Sequence, residues 1–160
     1  YILKRKTIKV YPYAKLAADR LTELTARLDK IESKSKRRQY TKIIQRYIED
    51  EFSAELKKLT RTEGQILVKL IHRQTGVTAF DLVKELRSGW RAFWYNTTAS
   101  LFEISLKEEF DPKNNQEDFL IEDILQRSFV NDILEPQATA LDFEYVELTD
   151  KWSKTKGRLN

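Results

Sequence analysis

The sequence predicts an all-α protein, folded as a single compact domain of five to six helices with a long N-terminal helical hairpin. Apolar residues recur every three or four positions along most of the chain, which is typical of amphipathic helices. Only four glycines and three prolines occur, too few for a turn-rich all-β fold. The length of 160 residues suits one ordinary domain, and 41% hydrophobic residues supply its core.

The first two predicted helices form the hairpin. Tyr11-Pro12-Tyr13 predicts a helix start, because proline is well accommodated in a first turn, and an apolar stripe then continues from 16 to 31. The polar run 32–38 predicts an exposed turn. A second apolar stripe from 40 to 59 predicts the returning helix.

The middle of the chain contains clear boundary signals. Thr60 and Glu63 have the spacing of a capping box and predict the start of a third helix. Gly76 predicts its end, since glycine readily adopts the left-handed conformation. Thr78 predicts the start of a short fourth helix, and apolar spacing predicts a fifth over 90–106.

The last third predicts one helix and an ambiguous segment. The composition of 111–115 is that of a turn, and a helix is predicted from about 117 to 135. Residues 137–152 mix the periods of strand and helix, so a short helix and an extended tail both stay open. We expect residues 1–153 to form the domain and residues 154–160 to be a frayed tail.

Composition excludes several classes of chemistry. The chain has no cysteine and one histidine, which removes disulfides, thiolate nucleophiles and multi-histidine metal sites. No apolar run approaches the roughly 20 residues of a membrane-spanning helix. Glycine-rich phosphate loops and serine-nucleophile motifs are also missing. We therefore predict no catalytic residues, no metal site, no cofactor and no transmembrane segment.

Charge is distributed unevenly along the chain. Residues 1–61 hold 17 Lys/Arg and 8 Asp/Glu, whereas residues 111–160 hold 6 and 11. Such a layout brings the two ends together in the fold or presents a basic face to a partner. Because Arg38, Lys42 and Arg46 are spaced by four, they share one helix face, although a solvated turn with a cationic rim is the competing interpretation. The candidate partner-binding cations are Lys34, Lys36, Arg37, Arg38, Lys42 and Arg46.

Three other groups of residues have plain structural interpretations. The aromatic cluster from Trp90 to Tyr95 follows core spacing, but Arg91 and Tyr95 lie off that stripe and are further candidates for partner binding. His72, near the end of the third helix, is expected to be structural. Asp118 and Glu122 are four residues apart and could help hold a cation, but solvation at the surface is the favoured interpretation.

Four sequence blocks occur in a distinctive order: KVYPYAKLA at 9–17, ELKKLTRTEGQILVKLI at 55–71, TGVT at 75–78 and DLVKELRSGW at 81–90. Together they resemble a family of Bacteroidota proteins, domain of unknown function 4294. The resemblance covers about residues 9–125. It implies a protein made with a signal peptide and located in the periplasm and cell envelope, and it brings no catalytic residues. The chain starts at Tyr1 and contains no methionine, so we expect a processed product.

The leading functional expectation is a non-enzymatic cell-envelope interaction protein, an accessory subunit of a periplasmic or outer-membrane assembly. Its partner is then another protein of that complex, and peripheral membrane association stays open. Binding of nucleic acid or an anionic surface through the basic hairpin is the alternative, although the acidic C-terminal third disfavours nucleic acid. A second alternative is an enzyme acting on envelope polymers through carboxylates near the fifth predicted helix.

Overall fold

The computed structural model describes residues 1–82 and 105–156, and all regular secondary structure in these ranges is helical. The predicted all-α single-domain fold with a long N-terminal hairpin is confirmed. Six helices occur in the described ranges: α1 (Ile2–Asp29), α2 (Lys34–Leu56), α3 (Arg61–Thr75), α4 (Ala79–Leu82), α5 (Gln116–Val130) and α6 (Tyr145–Lys156). The helix predicted over 90–106 lies outside the described residues.

The first helix begins ten residues earlier than the sequence predicts. Helix α1 is continuous over 28 residues and contains Pro12, so the prediction that this proline opens a helix is wrong. A proline inside a helix removes one backbone hydrogen bond. Pro12 is exposed, whereas Tyr11 and Ala14 on the other side are fully buried. The missing hydrogen bond is therefore on the solvent-exposed side of α1, and burial of the opposite side keeps the helix continuous.

Helix α2 returns antiparallel to α1 after the short turn at 30–33. The guanidinium of Arg37 donates to the carbonyl oxygens of Leu28 and Ile31 at 3.1 and 3.2 Å, which satisfies acceptors at the end of α1. Near the open end, the hydroxyl of Tyr13 donates to the carboxylate of Glu55 at 3.1 Å. These contacts hold both ends of the hairpin.

Helix α3 begins and ends at the predicted residues. Thr60 and Glu63 form a complete capping box, and Gly76 follows the helix with a left-handed φ of 73°. The most buried apolar side chains of α1, α3 and α5 meet in one core. They include Val10, Ala14, Ile66, Leu70, Ile121 and Leu125. Helix α3 is thus the central element of the described fold.

The C-terminal segment consists of an irregular loop followed by a helix. Helix α5 ends at Val130, earlier than predicted, and α6 resolves the ambiguity of 137–152. The Trp152 ring stacks on the ring of Phe119 in α5, with 5.7 Å between the ring centroids. Its indole N–H donates to the Pro112 carbonyl oxygen at 2.9 Å. Helix α6 continues to Lys156, so its last residues extend past the predicted domain end at 153. Residues 157–160 lie outside the described residues.

Candidate functional site

The most distinctive polar feature is a pair of ion pairs between α3 and α5, which we call the buried ladder. Arg73 and Glu122 are both fully buried and form a two-pronged pair, with Nε–Oε2 and Nη2–Oε1 distances of 2.7 and 2.9 Å. One helical turn earlier, the Lys69 ammonium donates to Asp118 at 2.7 Å. Each pair is 49 residues apart in sequence. The two helices therefore run in the same direction along this contact.

Arg73 also fastens the loop that follows α5. Its Nη1 donates to the Gln137 carbonyl at 3.2 Å and to the Gln74 side chain at 2.9 Å. In return, the Arg73 carbonyl accepts hydrogen bonds from the Thr139 hydroxyl and the Ala140 N–H, at 2.8 and 2.9 Å. A guanidinium has five N–H donors in a fixed plane, which suits such a junction. One side chain thus joins α3, α5 and the loop.

The Lys69–Asp118 pair of the buried ladder is hydrogen-bonded to the loop before α5. The second carboxylate oxygen of Asp118 accepts the backbone N–H of Asp111 at 2.9 Å. Asn115 caps the helix by accepting the Asp118 N–H at 3.1 Å. A buried carboxylate needs both a cation and hydrogen-bond donors to offset its lost hydration. Asp118 has both, so its surroundings make it a structural anion.

His72 is buried and serves the same region. Its Nδ1 accepts the backbone N–H of Phe110 at 2.9 Å, which places the proton of the neutral ring on Nε2. The expectation of a structural histidine agrees with this contact, although the bond runs to a loop and not to its own helix end. The backbone carbonyl of His72 accepts the N–H of Gly76 at 2.8 Å. Both its side chain and its backbone are therefore used in packing α3.

The surroundings of Glu63 and Tyr11 shift the pKa values of both groups. The pKa of Glu63 is lowered: burial opposes this, but the Thr60 backbone N–H and the Lys9 ammonium favour the carboxylate by more. Burial raises the pKa of Tyr11, against the opposing influence of Gln74 and Arg73. Tyr11 therefore stays a neutral phenol and donates to the Glu135 carbonyl at 2.8 Å.

A groove of about 320 Å³ lies between α1 and the loop after α5. We call it the α1–loop groove, and its lining consists of Tyr11, Pro12, Lys15, Leu16, Asp19, Ile133, Leu134 and Glu135. Ile133 is 52% exposed, and Val130, three residues before it, is 82% exposed. Exposed aliphatic side chains beside a concave surface are typical of interaction sites.

The structure separates the sequence-predicted partner-binding residues. Lys34, Lys36, Arg38, Lys42 and Arg46 are exposed on α2. Arg37 is half-buried and bonds the end of α1, so it serves the turn itself. The other two candidates, Arg91 and Tyr95, lie outside the described residues, as does Glu103 of the fifth predicted helix, whereas Glu108 is half-buried and Glu109 is exposed.

Sequence reasoning missed the buried ladder. The expectation that Asp118 and Glu122 are solvated at the surface is wrong, because both carboxylates are buried against cations of α3. A signal was available: Lys69 and Arg73 are also four residues apart and have the complementary charge. Matched spacing of opposite charges on two amphipathic helices is compatible with facing rungs, although it does not by itself select the facing helix.

These features define a class: a small all-α domain whose interior contains ion pairs that are hydrogen-bonded to a loop. Within the described residues, no three His, Cys, Asp or Glu side chains are grouped so as to hold a metal ion. No described helix is both long and apolar enough to cross a membrane, which agrees with the prediction for this part of the chain.

The chain belongs to the family described as "Domain of unknown function (DUF4294)", whose model matches residues 1–127. This confirms the family resemblance seen in the sequence. The match includes α1 to α4 and most of α5, and it ends before the loop and α6. No curated protein and no solved structure matches the chain.

Proposed function

We propose that this protein is a non-enzymatic interaction protein of the cell envelope, an accessory subunit that binds another protein through the α1–loop groove. The observation that supports this most is how the buried charged groups are used. In the described part of the chain, each buried carboxylate (Glu63, Asp118 and Glu122) is paired with a cation. Paired carboxylates are poorly suited to exchange protons with a substrate, because the pairing favours one protonation state.

The groove offers apolar surface that a partner could bury. It combines the exposed side chains of Leu16 and Ile133 with two opposite charges, Lys15 and Glu135, which lie 3.9 Å apart. We expect the partner to insert an aliphatic or aromatic side chain between Leu16 and Ile133. Polar groups at the rim then fix its direction, as in other protein interfaces.

The cellular setting is part of the same proposal. We infer a periplasmic or outer-membrane location in Bacteroidota, after removal of a signal peptide. Membership of the family is consistent with this inference, which rests on what the family resemblance implies. Cell fractionation tests it: the mature protein should be found in periplasmic or outer-membrane fractions, and an exclusively cytoplasmic protein would contradict it.

The binding proposal is tested by capture from envelope extracts with matched variants. Ile133→Asp places a carboxylate in the groove, and Val146→Asp makes a comparable change at a 70% exposed valine on α6. A partner identified by mass spectrometry and then purified should bind the wild type and Val146→Asp alike. Its affinity for Ile133→Asp should fall at least about tenfold, since the carboxylate loses hydration on binding. Equal affinity of the partner for the wild type and both variants would contradict the proposal. So would a monomeric protein that captures no partner from the extract.

A further inference from the structure

The outer side of α2 has a strongly cationic surface that the proposed groove does not use. We call it the basic face, formed by Lys34, Lys36, Arg38, Lys42 and Arg46, which are all exposed. The inner side of the same helix packs Tyr40, Ile44 and Tyr47 against the core. Residues 33–48 contain no aspartate or glutamate. Because Lys34, Arg38, Lys42 and Arg46 are spaced by four, they form a continuous strip of one charge sign, and Lys36 adds a cation in the first turn.

The position of these cations is unfavourable for the helix itself. Lys34 and Lys36 lie in the first turn of α2, which has no acidic residue. The helix dipole favours anions at this end and disfavours cations. Among the described residues, Arg38, Lys42 and Arg46 form no ion pair, although exposed pairs are common on α1. The charges of α2 therefore contribute little to the stability of the fold.

An exposed aliphatic residue lies among these cations. Ile43 is 63% exposed and lies three residues before Arg46, so its side chain projects into solvent at the edge of the cationic side of the helix. Arg38 and Arg46 are eight residues apart, about 12 Å along the helix axis. Cations beside a projecting aliphatic side chain fit a lipid surface, where the charges meet anionic headgroups and the side chain enters the acyl boundary. Nucleic acid offers the anions but no apolar layer for Ile43.

We propose that the basic face of α2 docks the protein on an anionic lipid bilayer, with Ile43 inserted between headgroups. This inference is independent of the groove, because the two surfaces share no residue. It makes the protein a peripheral adaptor: α2 contacts the membrane, and the α1–loop groove stays available to a protein partner.

Vesicle flotation with the full chain tests the proposal. The probes are vesicles of phosphatidylcholine and phosphatidylglycerol in a roughly 2:1 ratio, compared with pure phosphatidylcholine. We expect binding to the anionic vesicles only, weakening as salt rises from about 0.1 to about 0.5 M. Each cation near such a surface contributes about fivefold to the partition coefficient, so reversing Arg38, Lys42 and Arg46 to Glu should reduce it at least about 100-fold.

Two further variants make the result specific. Reversing Lys4, Arg5 and Lys57 to Glu changes the net charge equally at the open end of the hairpin, where all three residues are exposed, and should leave most of the binding intact. Ile43→Ser should weaken vesicle binding about tenfold with the salt dependence retained. Circular dichroism confirms that each variant is folded.

The outcomes distinguish the sources of binding. Equal losses for both triple variants would show a general charge effect and overturn the proposal. So would an unchanged affinity of Ile43→Ser, or tight binding to duplex DNA without binding to vesicles. If reversing Arg38, Lys42 and Arg46 abolishes vesicle binding but leaves capture of the groove partner intact, the lipid-docking proposal is supported and the groove proposal is not tested. Failure of either proposal is therefore recognised separately.

Discussion

The buried pair of Arg73 and Glu122 gives the sharpest test of how this fold is held together. Replacing Glu122 with leucine leaves a guanidinium in the core without its counter-charge. Replacing Arg73 with methionine leaves a fully buried carboxylate in the same position. Breaking a buried pair from one side costs about 3–5 kcal/mol, because the remaining charge has lost its hydration and gains nothing in return.

The double variant Arg73→Met/Glu122→Leu separates this cost from other losses. With both charges gone, the remaining defects are the unpaired Gln137 carbonyl, the Gln74 side-chain oxygen that accepts from Arg73, and the Gln126 amide that donates to Glu122 at 2.7 Å. Such orphaned groups cost about 1–3 kcal/mol each. We therefore expect the double variant to be more stable than the sum of the single effects implies, by about 3 kcal/mol or more.

Urea unfolding followed by circular dichroism measures all four proteins. Small domains have unfolding free energies of about 5–15 kcal/mol. A loss of about 3–5 kcal/mol in a single variant can therefore be measured by urea unfolding. The slope of free energy against urea should stay constant across the series. If Glu122→Leu costs less than about 1 kcal/mol, as for an exposed pair, or if the two single effects add, the argument for a desolvated junction is refuted.

Substitutions at three further positions test local features of the fold. Glu63→Gln should reduce acid sensitivity: the Glu63 pKa lies below its ordinary 4.5, so its stabilisation is present above that value and lost as pH falls through the folded pKa. Urea midpoints should thus drop more for the wild type below about pH 5, and parallel curves would refute this. Gly76→Ala should lower stability by about 1 kcal/mol in thermal denaturation, because φ is 73° and the added methyl meets Ala140 only at ordinary contact distance. Asn115→Ala should cost about 1 kcal/mol and Asn115→Asp much less, since only the latter keeps the cap of α5.

Local chemistry could be predicted from the sequence where one or two residues decide the outcome. The capping box of Thr60 and Glu63 and the glycine after α3 were found, because their geometry depends only on neighbours in the chain. Pro12 is the opposite case. Its preference for a first turn is local, whereas the continuity of α1 depends on Tyr11 and Ala14 being buried by other helices.

Contacts between distant segments were beyond the same reasoning. The spacing of Lys69 and Arg73 and that of Asp118 and Glu122 are visible in the sequence, but so is the spacing of Arg38 and Lys42. Which cationic pair faces the carboxylates depends on how α5 packs on the core. That packing is set by many weak apolar contacts, none of which specifies a partner alone.

The buried ladder and the α1–loop groove are connected through the same loop. Residues 131–144 contain no regular helix, so their carbonyls and N–H groups lack the internal partners of a helical segment. Tyr11 holds the Glu135 carbonyl, and Arg73 holds the Gln137 carbonyl and, through its own carbonyl, the N–H of Ala140. The groove wall at 133–135 is therefore positioned by polar groups buried behind it. A preformed wall loses less conformational entropy on binding than a mobile one, so the charged interior of this domain supports the binding that we propose for the groove.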